Sequence, residues 1–279
     1  MRCLAVPALC FVLFLALYLL AVRTSLGQRI DSAPVYRHNL DRTPDDQVWV
    51  ADKVLFATVA FLVPFVLWFG RARMRVLMAI VLGLGTTIVL ATGGQHVLGR
   101  PMLREFDPLY GKSYPSGHSA GTMALGLALV LVVPRLRWAR GLAAFVPATV
   151  ALMLLAFPIH RPSDIIAGFA IALAVMWLVG LAVTYWDDRR GIPRDVAGLA
   201  DPASMRSFLV ALARGVLTFV ALLGVETLAL DVNHFTLGQL GPSFPIALGV
   251  VVISAELVVA GYASAIRHGF GWGTEPPDQ

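Results

Sequence analysis

PSGHSAGTMALGLALVLVVP, residues 115–134, and GLAAFVPATVALMLLAFPIHRPSD, residues 141–164, decide the fold of this chain. Each contains an apolar run of about 20 residues with no charged side chain inside it, the length that crosses a hydrocarbon core as a helix. The link between them is short, so the two helices run antiparallel. His118 opens the first and His160 closes the second, which puts both histidines at the same membrane surface.

The same reading extends to the whole chain. It has 279 residues, of which 58% are hydrophobic and 14% charged, with a mean hydropathy of +0.76. The charge is too sparse for a soluble domain of this size, so the class is an all-α polytopic membrane protein. Eight spans are expected, near 3–22, 54–70, 75–92, 118–134, 141–159, 163–185, 207–230 and 244–266. The first resembles a signal peptide in position. It has no small-x-small cleavage site before the polar stretch, so it reads as an uncleaved span. Residues 23–53 read as a polar loop of mixed charge. The two cysteines, Cys3 and Cys10, both lie in the first run and give no disulfide framework. No basic run interleaved with aromatics is present, so nucleic acid is not an expected partner.

Arginines settle the expected topology. Arg71, Arg73 and Arg75 follow the second span, Arg135, Arg137 and Arg140 the fourth, Arg189, Arg190, Arg194 and Arg206 the sixth, and Arg267 the last. With alternating spans all of these lie on one side, which the positive-inside rule makes cytoplasmic. Both termini are then cytoplasmic, in a plasma membrane. The segments 93–117 and 160–162 face the periplasm or exterior.

The polar residues at that outer surface form a chemical set. His160 and Asp164 are four apart, one helical turn if the next helix begins near Pro162. A carboxylate there accepts from one ring nitrogen and leaves the other free to attack. His118 can protonate a departing oxygen. Ser116 and Gly117 precede a helix start, where backbone amides and the helix N-terminus favour an anion. Arg100 stands in the same outer segment and can bind phosphate through charge-assisted hydrogen bonds. The set fits phosphoryl transfer through a phosphohistidine.

These residues resemble the motifs of the type 2 phosphatidic acid phosphatase (PAP2) and vanadium haloperoxidase superfamily, which are K-x6-R-P, P-S-G-H and S-R-x5-H-x3-D. The second is complete as Pro115-Ser116-Gly117-His118, the third keeps His160 and Asp164, and the first keeps Arg100-Pro101. The resemblance covers about residues 50–186 and their order. It implies a six-helix membrane core over residues 1–186, with His160 as nucleophile, Asp164 as its partner and His118 as acid. It implies hydrolysis with no metal or other cofactor, and a phosphorylated lipid or polyprenyl diphosphate as substrate. Residues 187–206 then form a cytoplasmic loop, and residues 207–279 an added C-terminal two-span hairpin with a short tail.

Two cationic positions of the family pattern are altered. Its first lysine falls on Gly93, and its serine–arginine pair on Met153-Leu154. Gln95, Lys112, Arg104 and Arg161 are the candidate replacements in the phosphate cradle. His96 reads as a loop residue. In the added hairpin Arg214, Glu226 and Glu256 are costly in lipid, and the helix depths pair Arg214 with Glu256. The leading functional reading is a lipid phosphate or polyprenyl diphosphate phosphatase. The alternatives are a phosphotransferase to another acceptor, a catalytically weak or silent relative that binds lipid phosphate or a protein, and, on the intramembrane charges alone, a transporter.

Overall fold

The computed structural model describes residues 4–33, 63, 66–67, 74–101, 103, 113–132, 137–156, 159–189 and 243–267. The described residues form helices: α1 (Ala5–Leu17), continued by a π-helical turn (Tyr18–Val22), α2 (Ser25–Ser32), α3 (Met74–Val97), α4 (Gly117–Val132), α5 (Arg137–Ala156), α6 (Pro162–Arg189) and α7 (Phe244–Arg267). Among the described residues five helical stretches are long and apolar enough to cross a membrane: Ala5–Val22, Met74–Val97, Ala139–Ala156, Pro162–Asp187 and Phe244–Ile266. Gly117–Val132 is apolar but shorter. Six of the eight expected spans thus coincide with described helices. Most of the span near 54–70, the span near 207–230, and Lys112, Arg104, Arg214 and Glu226 lie outside the described residues, as does the expected 187–206 loop beyond Arg189, the last residue of α6.

The shorter α4 is the centre of the bundle. Its side chains from Ala120 to Leu131 are buried almost all round, apart from Gly121, and it packs against α3, α5, α6 and α7. Lipid tails are as apolar as leucine, so close packing rather than hydrophobic exclusion joins such helices, and small residues allow it. Gly126 is an example: a Cβ there would stand 2.5 Å from the Ala143 carbonyl oxygen of α5. On the far side, α7 is tied to α6 by Tyr262, whose hydroxyl donates to the Met176 carbonyl at 2.8 Å. Glu256 of α7 is buried.

The polar loop expected to follow the first span begins instead as a helix. Thr24 caps α2, its Oγ1 accepting the Gly27 amide at 2.9 Å and donating to Leu20 O at 2.6 Å. Gly27 lies against the π-helical turn so closely that a Cβ would fall on Leu20 O. The amphipathicity of α2 is inverted: Gln28, Asp31 and Ser32 are buried, while Leu26 and Ile30 are exposed. That arrangement suits an element whose inner face meets a polar site and whose outer face meets lipid.

Candidate active site

His118 is the second residue of α4, and His160 stands in the bend between α5 and α6. The bend closes on the end of α5: the amides of Ile159 and His160 both donate to Leu154 O, at 3.1 and 3.2 Å. Leu154 therefore supplies a backbone anchor, with its side chain in the core. The two imidazole rings lie 6.0 Å apart, tilted by 59°.

Asp164 sits in the first turn of α6, as the four-residue spacing requires. Its Oδ2 stands 3.6 Å from His160 Nδ1 and accepts the Arg161 amide at 3.0 Å. The imidazole contact is longer than a formed hydrogen bond, a common state of catalytic pairs without ligand. The Asp164 carbonyl accepts the Ser116 amide at 2.9 Å. Ser116 Oγ accepts from Ser119 N at 3.2 Å and Ser119 Oγ at 3.0 Å, an N-cap for α4. The Ser116 amide thus joins α4 to α6 while its hydroxyl caps α4, so that amide is not the anion donor that the sequence suggests. Beside Gly117 the position of a Cβ is open space, which leaves room for an anion at the helix start.

Gly168 sets the separation of these two helices. A Cβ there would stand 2.6 Å from Ser116 O, 3.0 Å from Ala120 N and 3.1 Å from Ser119 Cβ. Backbone atoms cannot yield as a flexible side chain can. Gly168→Val should force α4 from α6, destabilising the protein by about 1–3 kcal/mol or more, and it should lower any activity that needs both histidines. Gly121→Ala, with nothing within 4 Å of its Cβ, is the control and should change neither. Thermal unfolding in detergent, with turnover per folded molecule, checks both.

Arg100 is buried and bound to carboxylates. Its Nη2 donates to Asp164 Oδ1 at 2.7 Å and to Asp31 Oδ2 at 3.2 Å, with Ser163 Oγ at 3.4 Å. Its Nε and Nη1 are buried without a hydrogen-bond partner. Burial works against the guanidinium charge, but Asp164 and Asp31 outweigh it and raise the Arg100 pKa. Burial also pushes the Asp31 carboxyl above its ordinary range, and the Asp164 charge adds to that, against the pull of Arg100 and Ser163.

Asp31 is the site residue that the sequence reading missed. Its Oδ1 accepts the Ser163 amide at 2.9 Å, and its Oδ2 accepts the Ser163 hydroxyl at 2.5 Å. Gln28 of the same helix donates to Pro101 O and Val22 O, both at 2.8 Å. A signal was present in the spacing: Gln28, Asp31 and Ser32 form one polar face, opposite Leu26 and Ile30, after a capping threonine. Of the proposed replacement cations, Arg161 is 1% exposed, so it is a buried arginine beside His160 and not a surface charge. Gln95 donates to Pro115 O at 2.8 Å and steadies the loop before α4. His96 and Gly93 are exposed. Among the described residues no cluster of metal-ligating side chains is found.

Residues 92–190 match the family described as the PAP2 superfamily. No curated protein matches the chain. One similar solved structure is described as the first transmembrane PAP2 type phosphatidylglycerolphosphate phosphatase from Bacillus subtilis. It is 22% identical, with 66% of this chain and 96% of that chain covered and a TM-score of 0.44. The matched segment contains His118, His160, Asp164 and Arg100, and the chain is a multi-pass membrane protein that is similar to the PAP2 superfamily over that segment.

Proposed function

We propose that the chain hydrolyses phosphate monoesters or diphosphates of amphiphiles, phosphatidic acid-like lipids or polyprenyl diphosphates, at the outer membrane face. The observation that carries this reading is the meeting of the His118 and His160 rings at 6.0 Å, with Asp164 behind His160. His160 uses its Nε2, because Nδ1 is the nitrogen turned to Asp164. An N–P bond forms as the bond from phosphorus to the leaving oxygen breaks, and His118 gives that oxygen a proton. Water then attacks the phosphohistidine, losing a proton to His118. The N–P bond breaks and inorganic phosphate leaves. The sum is one water consumed, one alcohol or shorter phosphate released, and both histidines restored.

Arg100, through Nε and Nη1, and the amides at the start of α4 hold the phosphate in this scheme. Arg161 is the further cation nearest in sequence to the nucleophile. No step is assigned to a metal. The arginine pattern of the loops supports the outward-facing site and cytoplasmic termini. The same set at the end of a spanning bundle suits a substrate anchored in the bilayer by its tail. The two-span C-terminal hairpin is proposed as an addition to the six-helix core.

The test is direct. Purified protein in detergent, with EDTA present, is offered a panel of lipid phosphates and polyprenyl diphosphates. Phosphate release is the expected result. Release only after a metal is restored would overturn the metal-free route. The second reading, a weak or silent phosphate binder, draws on one observation: Arg100 is held by two carboxylates. Absence of release from every substrate would favour it.

A further inference from the structure

Asp31 lies outside the segment that matches the family, on the helix that follows the first span. It nevertheless reaches the centre of the site. Arg100 Nη2 is shared by two buried carboxylates, the shorter bond going to Asp164 and the longer to Asp31. Asp164 is in turn the acid that stands at His160 Nδ1. Any charge that Asp31 takes from the guanidinium is charge that does not act on Asp164.

We infer that Asp31 is a positioning residue: by holding part of the Arg100 guanidinium, it keeps Asp164 a strong acceptor for His160. The inference rests on the phosphatase reading above. Two further contacts make the hold specific. Asp31 accepts both the amide and the hydroxyl of Ser163, one residue before Asp164. Gln28, a turn earlier, clamps Pro101, one residue after Arg100. One face of α2 therefore grips both sides of the Arg100–Asp164 pair.

The arrangement has an electrostatic consequence that a merely structural residue would lack. The Asp31 carboxylate offsets part of the Arg100 charge that is to hold phosphate. Asp31 should therefore weaken phosphate binding while it strengthens the histidine–carboxylate pair. Asp31→Asn keeps the shape and an acceptor for the Ser163 amide but removes the charge. Two effects of opposite sign follow. Inorganic phosphate should bind about three- to tenfold more tightly, by loss of a nearby like charge. The turnover number should fall about tenfold, as when an outer partner of a functional histidine is lost.

The experiment measures kcat and KM on a lipid phosphate, and inorganic phosphate affinity by calorimetry, on the full chain in detergent. Wild type, Asp31→Asn and Asp31→Glu are compared, with thermal unfolding as the check of folding. The glutamate variant keeps the charge and shifts it by one methylene. Phosphate affinity should stay within about twofold of wild type while kcat falls several-fold. It carries the test if the asparagine variant does not fold. A folded Asp31→Asn with unchanged kcat and affinity, or with weaker phosphate binding alongside lower kcat, overturns the inference and leaves the phosphatase reading intact. A wild-type chain that releases no phosphate from any lipid, but binds inorganic phosphate more tightly as Asp31→Asn, overturns the phosphatase reading and upholds the placement of Asp31. Wild type that neither binds nor releases phosphate overturns both.

Discussion

Replacing His160 by alanine should abolish phosphate release, by about 10³-fold or more, because the residue proposed to form the covalent bond to phosphorus would be gone. The loss should be the same for every substrate in the panel. A variant lacking a nucleophile has no first step to rescue, however good the leaving group. Acid-labile, base-stable label from a ³²P-labelled substrate should appear on wild type quenched in turnover and be absent from His160→Ala. His118→Ala should behave differently. It removes the proton donor for the leaving oxygen, a loss of about 10²–10⁴ for a lipid alkoxide. With a nitrophenolate leaving group, which departs without a proton, the first step should be largely restored. Label should then accumulate, because hydrolysis of the phosphohistidine still lacks its base. Equal losses of His118→Ala in the rate of the first step on both substrates would sink the assignment of acid and nucleophile, even though the rings stand 6.0 Å apart.

Arg100→Ala should be the most destabilising single change at the site, at about 3–5 kcal/mol, since it strips the cation from two buried carboxylates. Arg100 and Asp164 have no exposed side-chain surface, and Asp31 has little. The loss should depend on pH. The Asp31 carboxyl is already raised by burial and by Asp164, against the opposing pull of Arg100. A carboxyl raised in the folded state contributes stability that is fully present below its ordinary pKa and is lost as pH rises through the raised value. Removing Arg100 raises it further and extends that loss upward in pH. The deficit of Arg100→Ala against wild type should therefore be largest near neutrality and shrink as pH falls toward about 5. Asp31→Asn in the Arg100→Ala background should recover part of it, by neutralising one of the two repelling acids. Unfolding midpoints in detergent across this range check the sign. A deficit independent of pH would mean that packing of the guanidinium, and not its charge, is what is lost.

Much of this site is legible in the sequence because its parts obey short-range rules. His160 and Asp164 meet because residues four apart share a helix face once Pro162 starts α6. Ser116 and Gly117 mark a helix start because serine caps and glycine leaves space. The spans at 75–92, 118–134, 141–159, 163–185 and 244–266 show in hydropathy alone, since lipid forces backbone hydrogen bonds to close within each segment.

Other features are long-range and leave little local trace. Asp31 reads as one acid in a polar loop; only the folding back of α2 after the π-helical turn puts it 3.2 Å from Arg100. Arg100 reads as a phosphate ligand by its motif, and the tertiary structure alone shows it divided between two carboxylates. Arg161 carries the same formal charge in either setting, and its burial depends on neighbours the sequence does not name. Gly168 is one glycine among 25 until α4 passes within reach of its missing Cβ. The sequence by itself thus determined the membrane class, the described spans and which groups are proposed to react, because hydropathy and helical spacing act over a few residues. The tertiary structure alone decided how the charges among those groups are shared, because Coulomb interactions depend on distance in space and not along the chain.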